Sequence, residues 1–144
     1  MAKTTPPNLP RGWIGVDLDA TLAHYDHWRG IDHIGKPIPA MVERVQGWIA
    51  QGINVRIMTA RVYPLPVTHT CDGINLNSAN LTDREKEAYK AAHFIFLWCE
   101  EHIGDRLPVT CQKDLSMVSL WDDRAVQVEP NTGRRIDGLG NQPT

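Results

Sequence analysis

The stretch GWIGVDLDAT, Gly12 to Thr21, decides how the rest of the chain is read. Trp13 to Val16 are apolar or glycine throughout, the composition of a strand covered on both faces of a parallel sheet. The run then meets Asp17 and Asp19, with Thr21 close behind. Two carboxylates at positions i and i+2 of an extended chain project from the same face. Like charges about 4 Å apart cost about 4 kcal/mol at an effective dielectric of about 20, so such a strand end needs a compensating cation.

Outward from this stretch the chain alternates strand-like and helix-like segments. Pro37 and Pro39 precede a helix whose apolar residues Met41, Val42, Val45, Trp48 and Ile49 share one face, and Gly52 is placed to end it. Asn54 to Met58 reads as a second strand, finishing at Thr59, Ala60 and Arg61. Residues 62–81 form a polar surface insertion, too long for a minimal connection. Thr82 to Glu85 carries the S/T-x-x-E spacing of a capping box, and Ala88, Ala91, Ala92, Ile95, Trp98 and Cys99 line the helix that follows, up to Gly104. Short strands are expected at Leu107–Thr110, Met117–Trp121 and Ala125–Val128. Residues 1–10, with three prolines, and the turn-rich residues 130–144 read as loose ends around one domain spanning 11–129.

Strands separated by long helices imply a parallel sheet with right-handed crossovers. The expected fold is therefore α/β, a three-layer Rossmann-like sandwich with helices on both faces. Ligands of such sheets bind beyond the carboxyl ends of the strands. Those positions hold Asp17, Asp19 and Thr21, then Thr59, Ala60 and Arg61, then Lys113, and finally Asp122 and Asp123. Four carboxylates meeting in one crevice call for a divalent cation and a lysine. An all-oxygen ligand set, with no Cys or His at metal spacing among these residues, favours Mg²⁺ over zinc, and Mg²⁺ favours a phosphorylated substrate. Thr21, and Thr59 with the amides of Ala60 and Arg61 after it, can bind phosphate oxygens, and Lys113, or Arg61 in its place, can neutralise charge during transfer. An aspartate can accept the phosphoryl group while a second carboxylate moves the proton.

The set D-x-D-x-T at Asp17 to Thr21, an apolar strand ending at Thr59, Lys113, and the pair Asp122-Asp123 after an apolar strand resembles the four motifs of the haloacid dehalogenase superfamily in its phosphatase branch. The resemblance runs in order from Gly12 to about Val128. It implies Asp17 as nucleophile, Asp19 as general acid and then base, and Thr59 and Lys113 as phosphate binders. The Mg²⁺ ligands it implies are Asp17, Asp122 and the backbone carbonyl of Asp19, with Asp123 assisting. The sequence DDR and the interval from Lys113 to Asp122 are similar to those of deoxyribonucleotidase-type members. Two departures stand out: Ala20 occupies a position where the family often has Gly, and about forty residues between Asp17 and Thr59 leave little or no cap domain. A lidless site suits a large substrate, or closure by a short loop or a neighbouring subunit, so a homo-oligomer is allowed.

The expected activity is hydrolysis of a phosphomonoester through an aspartyl-phosphate, on a nucleotide or another small metabolite. The same chemistry on a polynucleotide end or a phosphoprotein is the alternative. A formal net charge of -2 gives no basic field to attract nucleic acid. A receiver-type signalling domain would place the acidic pair after the first strand and the acceptor in mid-chain, the reverse of the order here. A metal-binding protein without catalysis requires Asp17 or Asp19 to be misassigned. No segment has the apolar length of a membrane span, and MAKTTPPNLP lacks a secretory apolar region, so a cytoplasmic protein with Cys71, Cys99 and Cys111 reduced is expected. The loop Leu22–Gly35 brings Tyr25, His27 and Trp28 next to the first motif, where they either stack on a substrate ring or pack on the sheet edge.

Overall fold

The computed structural model describes residues 11–140, so the expectations for residues 1–10 and 141–144 lie outside the described residues. Strand β1 (Trp13–Asp17) is followed by helix α1 (Pro39–Ala50), strand β2 (Asn54–Met58), a single 3₁₀ turn (Ala60–Val62), helix α2 (Asp83–His102), strand β3 (Val109–Thr110) and strand β4 (Met117–Trp121). All strand pairs are parallel, in the order β3-β2-β1-β4. The class is α/β with a Rossmann-like parallel sheet. Among the described residues no helix is long and apolar enough to cross a membrane.

Local chemistry sets the ends of these elements. Pro39 opens α1, and Gly52, at φ +84°, follows its close. The Thr82 side chain accepts from the Glu85 amide at 3.1 Å while the Glu85 carboxylate accepts from the Thr82 amide at 3.1 Å, so the capping box at the start of α2 is reciprocal. Past its other end the Gly104 amide, at φ +97°, returns to the Cys99 carbonyl.

Alternation along β1 divides the sheet. Ile14 and Val16 face the same side as Val55 and Ile57 of β2, and that side packs against Met41, Val42 and Val45 of α1 and Ala91, Ala92 and Ile95 of α2 in one buried cluster. Gln46 of α1 donates to the Ile103 carbonyl just past α2, and Trp121 of β4 packs edge-on to Trp48, confirming that both helices share this face. Among the described residues no helix covers the opposite face, where one was expected: α1 and α2 both pack on this one. Because β1, β2 and β3 advance in one direction, right-handed crossovers put α1 and α2 on one side. The return from β3 to β4 spans only residues 111–116, too few for a helix. That other side is closed by the Trp13 ring, whose Nε1 donates to Asp114 at 2.9 Å and whose face carries the Arg56 guanidinium 4.5 Å away. Gly15 leaves room for it: a Cβ there would lie 3.0 Å from the Trp13 ring.

Two further expectations need correction. Ala125–Val128 is not a strand. It is exposed and, in place of adding to the free edge of β4, turns back on residues 134–136: the Glu129 amide donates to the Arg134 carbonyl and the Ile136 amide to the Gln127 carbonyl, around an isolated bridge from Val128 to Arg135. Residues 62–81 do lack helix and strand, but their start is not surface: Val62, Leu65 and Thr68 are buried, and Thr68 pairs with Val109 along the free edge of β3.

Candidate active site

The carboxyl ends of β1, β2 and β4 surround a cavity of about 640 Å³. Its walls include Asp17 and Asp19 from the first motif, Thr59, Ala60 and Arg61 after β2, and Asp122 and Asp123 after β4. Residues more than one hundred positions apart thus meet in one crevice.

The chain after β1 folds tightly around one carbonyl. The Leu18 oxygen accepts from the amides of Leu22 at 3.0 Å and Ala23 at 2.9 Å, and the Leu18 side chain is fully buried. Ala20 is forced to φ +68° by this turn. A left-handed conformation costs a residue with a Cβ about 1–2 kcal/mol, partly offset because glycine loses more entropy on folding. Ala20→Gly is therefore expected to stabilise the fold by about 0.5–1 kcal/mol, read as a higher urea midpoint at unchanged slope. A lower midpoint would contradict this account of the turn.

The two aspartates of the motif diverge to different partners. Asp19 receives a bidentate fork, from Arg61 Nε to Oδ2 and Arg61 Nη2 to Oδ1, both at 2.8 Å. The guanidinium is buried, and its Nη1 also donates to the His33 carbonyl at 3.0 Å. Asp17 instead turns to the acidic pair: one carboxylate oxygen from each of Asp17, Asp122 and Asp123 lies within 4.8 Å of the others. Thr21 ties the group together. Its hydroxyl lies 3.5 Å from Asp17 Oδ2 and 3.2 Å from Asp123 Oδ1, and its oxygen accepts from the Asp123 amide at 3.1 Å. Thr21, expected as a phosphate ligand, is thus a positioning residue. Asp19 stands outside the three-carboxylate cluster, because its side chain is committed to Arg61.

These neighbours push the Asp17 carboxyl up to about 7 from its ordinary 3.8: burial first, then the hydrogen bond with Asp123, then the charges of Asp122, Asp123 and Asp19. Between about pH 4 and about pH 7 the folded chain keeps a proton that the unfolded chain has lost, so stability falls as pH rises through that window. A divalent cation competes with that proton. Thermal melts in chelator should lose stability from about pH 5 to about pH 8, Mg²⁺ should restore more at the higher pH, and Asp17→Asn should flatten the slope. A slope that survives Asp17→Asn would rule out this carboxylate as its source.

The remaining expected residues divide. Thr59 is buried at the rim, and its hydroxyl oxygen accepts from the Arg61 amide at 3.1 Å, so that amide caps the 3₁₀ turn and is not offered to a phosphate. Lys113 is exposed and lies outside the cavity walls. The reason is local: Thr110 Oγ1 bonds the Gln112 amide, and two residues later Asp114 is drawn to Trp13 and Arg56 on the other face of the sheet. Positive charge at the cavity comes from Arg61, Arg84 and Arg124.

Arg84 and Arg124 were not among the residues expected from sequence. Arg124 follows the acidic pair and donates its amide to Asp122 Oδ1 at 2.7 Å. Arg84 sits in the first turn of α2, where a cation opposes the helix dipole. It is held there by Glu87 and by the carbonyls of Ala60 and Arg61. That unfavourable placement was the signal available in the sequence. Met58, Tyr63 and Cys111 complete the missed part of the wall.

No protein-family model, curated protein or solved structure matches the chain. The fold itself defines the class, an α/β protein with a parallel Rossmann-like sheet and an acidic cavity at its strand ends.

Proposed function

We propose that the chain is a Mg²⁺-dependent phosphomonoester hydrolase of the haloacid dehalogenase type, working through an aspartyl-phosphate on a nucleotide or another small phosphorylated metabolite. One observation carries this reading: carboxylates from the end of β1 and from beyond β4 come within 4.8 Å of one another, in the same cavity as a second aspartate gripped by an arginine. An all-oxygen donor set, one member of which holds its proton to about pH 7, fits a hard divalent cation. Asp17, Asp122 and Asp123 would hold it. When bound, the ion offsets their charge and that of the phosphoryl oxygens.

In this reading an Asp17 carboxylate oxygen attacks phosphorus and the bond to the leaving oxygen breaks, while Asp19, protonated on an oxygen freed from one arm of the Arg61 fork, gives that proton to the leaving oxygen. Asp19 then takes a proton from water as the water oxygen attacks the aspartyl-phosphate, releasing inorganic phosphate and restoring Asp17. Arg61 is a positioning residue for Asp19, and Arg84 and Arg124 take the charge-neutralising part first expected of Lys113.

A panel of nucleotides, sugar phosphates and 5′-phosphorylated oligonucleotides with Mg²⁺ tests the proposal. Phosphate release that requires the divalent ion and disappears in Asp17→Asn is the expected result. Release indifferent to either would refute it.

A further inference from the structure

Twelve large apolar side chains stand exposed among the described residues, and seven of them fall on two surfaces joined by one residue. Tyr25, Trp28 and Tyr63 line the cavity that holds Asp17, Asp122 and Asp123. Val126 (40%), Val128 (49%), Ile136 (56%) and Leu139 (56%) belong to the segment after β4. The joining residue is Arg124, which lines the cavity and whose amide is bonded to Asp122. Residues 125–139 therefore leave the body of the chain at the rim of the site.

These residues form a two-stranded ribbon. The Glu129 amide donates to the Arg134 carbonyl and the Ile136 amide to the Gln127 carbonyl, with Asn131 at φ +63° and Gly133 at φ +73° in the turn between them. All but Glu129 and Arg135 are exposed. A ribbon of two strands is marginal by itself in water and gains stability on a surface that takes its apolar side chains. Val126 and Val128 are two positions apart, the spacing that puts side chains on one face of extended chain. The ribbon also brings no net charge to such a surface, since Glu129 pairs with Arg134 and Asp137 with Arg135. Four residues of extended chain reach about 13 Å, and a round cavity of about 640 Å³ is about 11 Å across, so the valines can reach the rings from Arg124.

We propose that this ribbon is a lid, which folds back from Arg124 over the cavity mouth and sets Val126 and Val128 against Trp28 and Tyr63 once a phosphoester is bound. Trp28 is a fixed landing surface: the Arg61 guanidinium lies 4.8 Å from its ring centre and bonds the His33 carbonyl of the same loop. Closure follows binding for an electrostatic reason. On their own, three clustered carboxylates and the exposed Arg84 and Arg124 need water, so covering them costs their desolvation. A cation and a phosphate balance those charges, and the cost falls. This deepens the phosphomonoesterase reading and rests on it: a covered aspartyl-phosphate is shielded from bulk water, and a polynucleotide end or a phosphoprotein is shut out. The chain end thus supplies the cover that the interval from Asp17 to Thr59 is too short to provide.

Disulfide trapping reads the closure apart from turnover. In a chain carrying Cys71→Ser and Cys111→Ser, with the fully buried Cys99 left in place, Val128→Cys is combined with Trp28→Cys or Tyr63→Cys. The control is Val128→Cys with Leu115→Cys, an exposed position just before the other end of β4. With Mg²⁺, inorganic phosphate and a mild oxidant, an intramolecular disulfide should form at one of the two cavity positions at least about ten-fold faster than at the control. In the chain with its native cysteines, Val128→Asp should lower kcat/KM for a small phosphoester about ten-fold at an unchanged urea midpoint, and should lower it less for a 5′-phosphorylated oligonucleotide. Equal trapping rates, or kcat/KM indifferent to Val128→Asp, overturn the proposal. So do crosslinks formed only between two chains, which would make a second copy the partner of the ribbon. Trapping at the cavity in a chain that hydrolyses no ester would leave the lid standing and remove the phosphatase reading; hydrolysis without trapping would do the reverse.

Discussion

Asp17→Asn is expected to lower phosphomonoester hydrolysis by roughly 10⁴-fold or more, because the amide cannot donate the electron pair that forms the aspartyl-phosphate. The same substitution should make the chain more stable in chelator above about pH 7. The carboxylate is raised to about 7 by burial and by its acidic neighbours, so its ionised form is a liability to the fold that the neutral amide removes. An assay of phosphate release paired with thermal melts in chelator checks both halves. Loss of activity with loss of stability would mean that Asp17 serves the fold, and retained activity would place the nucleophile elsewhere.

Arg61→Ala should be the most destabilising single change at the site. The guanidinium is nearly fully buried, makes both bonds to Asp19, bonds the His33 carbonyl and covers one face of Trp28. Removing one partner of a buried pair leaves the other charge uncompensated, at about 3 kcal/mol. For a chain of this size that is a fall in Tm of about 10 °C. Arg61→Lys keeps the charge but loses the fork, so an intermediate loss is expected. Activity should fall with both, since Asp19 loses its fixed orientation. Urea unfolding of the two variants at neutral pH reads the order directly. A wild-type midpoint in Arg61→Ala would show that the pair adds nothing to the fold.

Much of the architecture was legible because its signals are local. The apolar run before Asp17, the prolines ahead of α1, and the Thr82 and Glu85 spacing each act within a few residues, and each element appears at or near its expected bounds. The convergence of Asp17 with Asp122 and Asp123 followed from topology, since a parallel sheet gathers strand ends at one edge. What could not be read depended on long-range partners. Lys113 follows a strand, yet the short return to β4 and the pull of Trp13 on Asp114 take it out of the cavity. Ala125–Val128 has strand composition, yet it pairs with residues 134–136 and not with the free edge of β4. The Arg61 fork on Asp19 joins residues 42 positions apart, and nothing in either segment alone announces it.

Calorimetric titration of Mg²⁺ needs no knowledge of the substrate and acts directly on the convergence of the three carboxylates. The wild-type chain should bind one ion per chain saturably, and Asp122→Asn, altered about one hundred residues from Asp17, should weaken that binding at least about ten-fold. Absence of saturable binding, or binding that Asp122→Asn leaves unchanged, would contradict a shared cation site at the strand ends.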